Sequence, residues 1–170
     1  MTMSSKLSIV ATADLAETLD LGTRTAALRR AFGTSLGNGT GTGLADKVFQ
    51  DTRTIAPSTS EDLDLNAGAL VDPFGVAFTI LRVKALYVAA AVANVNNVVI
   101  GAAAANPWTA LLGATHTMQL RPGAAVLLSA GEADPTTYAV VAGTGDVLRF
   151  TNGGAVTSVT YDVMIIGSSV

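Results

Sequence analysis

Few residues of this chain have side chains that could perform chemistry. His116 is the single histidine, cysteine is absent, and charged residues make up only 14% of the 170 positions. A catalytic triad or an imidazole metal site would have to be built around His116. His116 lies beside threonines in an expected loop, and no nucleophile elbow is predicted, so we interpret it as a surface or turn residue. The sequence therefore predicts a non-enzymatic protein with no catalytic, cofactor-binding or metal-binding residues.

Asp62, Asp64 and Asn66 alternate like the first ligands of a calcium-binding loop. Such a loop has Gly at its sixth position and a bidentate Glu at its twelfth. Here those positions hold Ala67 and Pro73. The carboxylates have a simpler interpretation on the solvent face of a strand whose other face carries leucines, and calcium binding is not predicted.

Glycines at positions 37, 39, 41 and 43 superficially resemble a phosphate-binding loop. A phosphate loop needs a buried strand before it, a helix after it and a different glycine spacing. The segment from Gly33 to Gly43 is rich in Gly, Thr, Ser and Asn, which favours an exposed, flexible connector.

Trp108 has two interpretations. It could serve as a ligand platform or interface anchor, or it could plug one end of a hydrophobic core, and we favour the core.

Nucleic-acid binding is not predicted, because the net charge is −3 and the pI is near 4.9. Arg29 and Arg30 are adjacent, but two arginines do not make a basic patch.

The apolar run from Val83 to Ala105 could suggest a membrane helix. Asn94, Asn96 and Asn97 interrupt it, and three amides in the middle of a bilayer would be costly. Two strands joined by an Asn-rich turn explain the run better, so no membrane association is predicted.

The elements that must position these residues are strands. Val159, Tyr161, Val163 and Ile165 alternate with polar residues, and similar stretches recur between Gly, Asn, Asp and Pro turns. About eight strands predict an all-β domain over residues 44–170, either a β-sandwich or a barrel, and we favour an antiparallel sandwich. The alternation of Val76–Ile80, continued from Val83 to Ala89, predicts one or two further strands with a bulge near Arg82. The predicted core contains Val83, Ala85, Tyr87, Val98, Ile100, Val159, Tyr161 and Val163.

Residues 1–43 are predicted to form an extended N-terminal arm with a Gly-rich linker that contacts neighbouring molecules. Alternation favours strands at Lys6–Thr12 and Leu15–Leu21. A helix over Asp14–Arg30 is the alternative, since Asp14 could cap it, but Gly22 weakens one continuous helix.

Four stretches resemble small virion structural proteins of tailed bacteriophages. They are ADKVFQDTRTIAPSTSEDLDLNAGALVD from Ala45, LRVKALYVAAAVANVNNVVIGAAAANPW from Leu81, MQLRPGAAVLLSA from Met118 and YAVVAGTGDVLRFTNGGAVTSVTYDVMIIGSSV from Tyr138. The resemblance implies a jelly-roll-like domain built into the virus particle. We expect a capsid decoration (cement) protein, made in the host cytoplasm and placed on the outer surface of the head, because an acidic protein is unsuited to contact with packaged DNA. The expected partners are the major capsid protein and two further copies in a homotrimer, the trimer being chosen because capsid lattices offer three-fold sites. The alternative is a tail or fibre component that contacts host surface glycan.

Overall fold

The chain forms two β-sheets packed face to face, with a long β-hairpin projecting from the outer face of one sheet. The structure, a computed structural model, describes residues 2–170. Strands contain 55% of the residues and helix 2%, which confirms the predicted all-β sandwich. The elements are β1 (Ser5–Leu19), β2 (Gly22–Asn38), β3 (Leu44–Ala45), β4 (Lys47–Ile55), β5 (Ser60–Asp64), β6 (Arg82–Ala90), β7 (Val98–Gly101), α1 (Thr109–Leu112), β8 (Thr117–Leu120), β9 (Ala125–Ser129), β10 (Tyr138–Ala139), β11 (Val147–Asn152) and β12 (Val159–Ser168).

The two sheets of the sandwich are antiparallel throughout. In the five-stranded sheet β12 lies between β4 and β6, and both β9 and β10 pair with the other edge of β6. The four-stranded sheet has the order β5–β11–β7–β8. Apart from β7 and β8, neighbours in each sheet come from distant parts of the sequence, so the sandwich depends on non-local pairing.

The main hydrophobic core fills the space between the inner faces of these sheets. Phe150 of β11 and Tyr161 of β12 are fully buried, and their rings stack with centroids 4.4 Å apart. The core positions confirmed from the sequence prediction are Val83, Val98, Ile100, Val159, Tyr161 and Val163.

A β-bulge in β6 changes which residues face this core. The pairing with β12 shifts between Ile166 and Gly167, which leaves Lys84 of β6 without a partner in the ladder. The sequence predicts a bulge near Arg82, and the structure has it two residues later, at Lys84. Gly167 permits the close approach, because a Cβ there would lie 2.7 Å from the Arg82 carbonyl oxygen.

The bulge makes two of the core predictions wrong. Ala85 is buried, but in a second cluster on the outer face of the sheet. Tyr87 is only half-buried and lies on that same outer face. The extra residue at Lys84 reverses the alternation, so that Leu86 and Val88 point into the core instead.

The predicted strand at Val76–Ile80 is also not a strand, apart from one isolated bridge between Val71 and Ala77. Phe78 and Ile80 are nevertheless fully buried. Their amides donate to the carbonyls of Leu70 and Leu65, so this extended segment closes the core through single hydrogen bonds.

Asparagine side chains secure the loops between the strands. Asn94 both donates to the Thr160 carbonyl and accepts from the Thr160 amide, as a neighbouring strand would. Asn152 is buried, and its amide nitrogen donates to backbone carbonyls of two separate loops. The Asn-rich turn is therefore part of the sandwich, and among residues 2–170 no helix is long and apolar enough to cross a bilayer.

Residues 5–38 form a single β-hairpin. Pairing runs without interruption from Ser5 opposite Leu36 to Leu19 opposite Gly22, around a two-residue turn. The helix alternative over Asp14–Arg30 is wrong. The strand interpretation is confirmed, although one strand replaces the two shorter ones predicted.

The Gly-rich segment is more ordered than a flexible connector. Its first part, up to Asn38, belongs to β2, and β3 then pairs parallel with the end of β2. The amides of Gly37 and Gly39 donate to the carbonyls of Gly43 and Ala45. The prediction of an exposed loop from Gly33 is therefore wrong for the first half of the segment. The division into domains at residues 43 and 44 stays a prediction.

Candidate interaction arm

The hairpin of β1 and β2, residues 5–38, is called the hairpin arm. Directly opposed residues of an antiparallel pair lie on the same face of the ribbon. One face, called the apolar arm face, carries Leu7, Ile9, Ala11, Ala13, Leu15, Leu19, Ala26, Leu28, Phe32 and Leu36, together with Arg30 and the opposed Glu17 and Arg24. The other face carries mainly small and polar residues, including Lys6, Ser8, Thr12, Asp14, Thr18, Thr23, Thr25, Arg29 and Ser35. The hairpin arm is therefore amphipathic.

Most of the apolar arm face is exposed. Every residue from Ser8 to Gly33 is exposed, and the side chains of Leu15, Leu28 and Phe32 are 74%, 69% and 49% exposed. This free part projects about 40 Å, taking about 3.4 Å per residue for twelve residue pairs. An isolated two-stranded hairpin is at best marginally stable in water, and a contiguous exposed apolar face is typical of an interaction site.

The base of the hairpin arm, in contrast, packs on its own sandwich. Leu7 and Leu36 are buried against Ala85 and Ile166, on the outer face of the five-stranded sheet. These two leucines belong to the apolar arm face, so one continuous face is covered at its base and exposed beyond it.

Polar contacts hold the base in place. Glu132, in the segment between β9 and β10, accepts hydrogen bonds at 2.8 Å from both the Thr34 hydroxyl and the Ser35 amide. These bonds, that from the Ser35 amide first, lower the pKa of Glu132. The Lys84 ammonium, at the bulge of β6, donates to the Gly41 carbonyl at 3.3 Å, and burial lowers the pKa of Lys84. The hairpin arm therefore leaves the sandwich from a fixed base.

Charge is distributed unevenly between the two parts of the molecule. Residues 44–170 carry six Lys and Arg against ten Asp and Glu, whereas residues 5–38 carry four against three. Strand β2 contains Arg24, Arg29 and Arg30 and no acidic residue. A basic strand on an acidic protein favours contact between hairpin arm and sandwich surfaces.

The outer face of the five-stranded sheet continues past the base of the hairpin arm in rows of aligned side chains. The first row, under the base, is Val48, Ile166 and Ala85; the second row is Gln50, Met164, Tyr87 and Leu127; the third row is Thr52, Asp162, Ala89 and Ala125. A shallow concavity of about 470 Å³ lies over the second and third rows and is lined by Tyr87, Met164 and Asp162, among others. Asp162 accepts a hydrogen bond from Thr52 at 2.6 Å, and no ion pair within residues 2–170 includes it.

His116 and the Asp62–Asn66 stretch lie outside the hairpin arm, at opposite edges of the four-stranded sheet. His116 is exposed in the loop before β8. Asp62 forms an ion pair with Arg149, and Asp64 accepts from the amides that follow it in a turn. Within residues 2–170 no three His, Asp or Glu side chains are grouped as metal ligands would be.

Trp108 is buried, its indole N–H donates to the Ala139 carbonyl at 2.8 Å, and its ring contacts Tyr138 edge-on. The core interpretation of Trp108 is confirmed.

Residues 33–37 read GTSLG and so match the letters of a nucleophile elbow, which the sequence prediction did not include. That motif requires a turn from a strand into a helix, whereas Ser35 lies within β2 opposite Lys6.

Sequence reasoning missed the importance of the adjacent arginines. Arg29 and Arg30 lie opposite Thr12 and Ala11, so they occupy different faces of the hairpin arm. The signal that could have found this was the continuous period-two pattern over β1 and β2, with a two-residue turn between them.

Comparison with protein-family models, with curated proteins and with solved structures finds no match to this chain.

Proposed function

We propose that this chain is a structural virion protein of a tailed bacteriophage, specifically a capsid decoration protein on the outer surface of the head. It works as a homotrimer that clamps neighbouring major capsid subunits. The observation that carries the proposal is the hairpin arm, which projects an apolar face about 40 Å from a fixed base. The resemblance to phage virion proteins that we infer from the sequence after about Leu44 directs the proposal to a particle.

The mechanism needs no chemical step. A protein that binds the assembled shell but not its separated subunits stabilises the shell by mass action. The exposed apolar side chains supply contact area between the copies of the homotrimer, and the hydrogen-bonded base determines the direction in which the hairpin arm leaves the sandwich. The acidic sandwich favours a position away from packaged DNA.

The location is tested by a cryo-EM map of the virion together with the copy number of this chain relative to the major capsid subunit. We expect density on the head and hundreds of copies per particle, since a decoration protein follows the capsid lattice. Density in the tail alone, or a few dozen copies, would contradict the head assignment and support the tail alternative.

The role of the hairpin arm is tested by excising residues 9–32 and joining Ser8 to Gly33 through a short turn. This variant keeps the base that covers Ala85 and Ile166, so the sandwich should stay folded. We expect it to lose binding to particles that lack the native protein. Binding equal to that of the full chain would contradict a clamp built on the hairpin arm.

A further inference from the structure

We propose that the apolar arm face docks on the outer face of the five-stranded sheet of a second copy of this chain. The contact places Phe32 over the second row of that sheet and Arg30 against the Asp162 carboxylate. The inference rests on the self-association included in the proposed function, and it is independent of where in a virion the protein lies.

The contact at the base of the hairpin arm supplies the first argument. Within one molecule the apolar arm face already packs, through Leu7 and Leu36, on the first row of this sheet. The next row, with Met164 and Tyr87, continues that apolar surface under the concavity. Met164 packs against the edge of the cluster at the base, but the hairpin arm of the same molecule does not bury this row, since Met164 and Tyr87 are only half-buried and every residue from Ser8 to Gly33 is exposed.

The spacing of side chains supplies the second argument. Phe32 and Arg30 are two residues apart on one face of β2, and Met164 and Asp162 are two residues apart on one face of β12. Both pairs therefore span about 7 Å. A hairpin arm that places Phe32 over Met164 brings Arg30 to Asp162.

Charge supplies the third argument. It favours the sheet of a second copy, and not that copy's hairpin arm, as the surface on which the apolar arm face docks. Arg30 lies in the middle of the apolar arm face, and no ion pair within residues 2–170 includes it. Hairpin arms packed together around a symmetry axis would bring several copies of Arg30 together. Docking on the sheet instead pairs Arg30 with an exposed carboxylate that has no cation beside it, which is the favourable arrangement.

Reach does not limit this contact. The sandwich of residues 44–170 has an expected radius of gyration of about 14 Å. The free part of the hairpin arm, at about 40 Å, can therefore cross much of a neighbouring molecule. In a closed ring, each hairpin arm would dock on the sheet of the next molecule, so that every apolar arm face and every outer sheet face would be covered.

Charge reversal in the full chain tests the contact, with self-association measured by analytical ultracentrifugation over a concentration series. We expect R30E and D162R each to weaken self-association at least about tenfold, and the double variant R30E/D162R to recover most of the loss. The matched controls are R29E, on the opposite face of the hairpin arm, and D62R, on the other sheet. Both controls should stay within about twofold of the wild type.

Since all four positions lie at exposed surfaces, thermal unfolding should show that the variants fold. Self-association unchanged by R30E would overturn the inference but leave a homotrimer standing. Loss without recovery in the double variant would overturn it in favour of another surface. A wild-type monomer would overturn both the inference and the homotrimer, whereas the virion copy number would still test the head assignment.

The absence of cysteine allows a second measurement. F32C and M164C chains that carry tags of different size are mixed and oxidised. We expect a covalent heterodimer with one chain of each kind. A disulfide that forms only between two F32C chains would show arm-to-arm packing. A further variant carries both F32C and M164C, and a disulfide that forms only within this single chain would show docking on the same molecule. Either result would overturn the inference.

Discussion

The sandwich and the hairpin arm are built from the same period-two alternation, but they differ in what covers their apolar faces. In β12 the inner residues meet the facing sheet, and Tyr161 is fully buried. In the hairpin arm the corresponding face loses its cover beyond Leu7, and Phe32 stays 49% exposed. The comparison teaches that alternation tells which side chains share a face, whereas burial requires a second surface.

The difference in burial between the sandwich and the hairpin arm should have its largest effect on stability when Phe150 of the core and Phe32 of the hairpin arm are each replaced by alanine. We expect Phe150→Ala to lower the free energy of unfolding by about 3–5 kcal/mol, because it opens a cavity in the core and removes the ring stacked on Tyr161. Phe32→Ala should change it by less than about 0.5 kcal/mol, since that side chain has little to lose within one molecule. Denaturant unfolding at low protein concentration measures both. Equal losses would show that the hairpin arm is packed in the monomer.

The hydroxyl group of Tyr161 tests how much a hydrogen bond at the edge of the sandwich core contributes to stability. Tyr161 donates to Glu61 at 2.9 Å, and Glu61 also accepts from Arg53. We expect Tyr161→Phe to cost about 1 kcal/mol in the free energy of unfolding, because stacking is kept and one hydrogen bond is lost. Tyr87→Phe, on the outer face of the same sheet, is the control and should change it by less than about 0.5 kcal/mol.

The same hydroxyl should give the sandwich a dependence on alkaline pH. Burial, and secondarily the charge of Glu61, raise the pKa of Tyr161 well above its usual range. The folded chain keeps a proton that the unfolded chain releases above about pH 10, so stability falls as the pH rises beyond that point. The fall should be smaller in Tyr161→Phe, and an identical pH profile for the two proteins would contradict the assignment.

The smallest effect is expected at the base of the hairpin arm. Because its pKa is lowered, the Glu132 carboxylate stabilises the base above the ordinary carboxyl range, and this contribution is lost as the pH falls through the lowered pKa. Hydrogen exchange should show a protected Ser35 amide at neutral pH and weaker protection in acid. Glu132→Ala should reduce protection at neutral pH.

Asp134→Ala is the control for this experiment, since the Asp134 carboxylate bonds to Thr136 within its own loop. Ser35 protection that is the same in Glu132→Ala as in the wild type would show that the base is held by its apolar contacts alone.

Particular residues show how far prediction from the sequence could go. The strands around Val98, Val159 and Tyr161 were predictable because flanking turns and alternation agree. Ala85 and Tyr87 were not, because the bulge at Lys84 exchanges the two faces of β6 after the third residue of the strand. The unbroken hairpin arm was predicted only in part, since its Gly-rich end resembles a linker until β3 pairs with it.

The sequence by itself determined the all-β class, the shortage of groups that perform chemistry and the residues that share a face along each strand. These properties follow from composition and from local backbone geometry, in which successive side chains point to opposite sides. Only the tertiary structure decided which faces are covered, because burial comes from pairing between distant segments, as when Leu7 meets Ile166. For the same reason, only the pairing of β1 with β2 and the projection of the hairpin arm from the sandwich decide that Arg30 lies on the exposed apolar arm face and Arg29 on the opposite face.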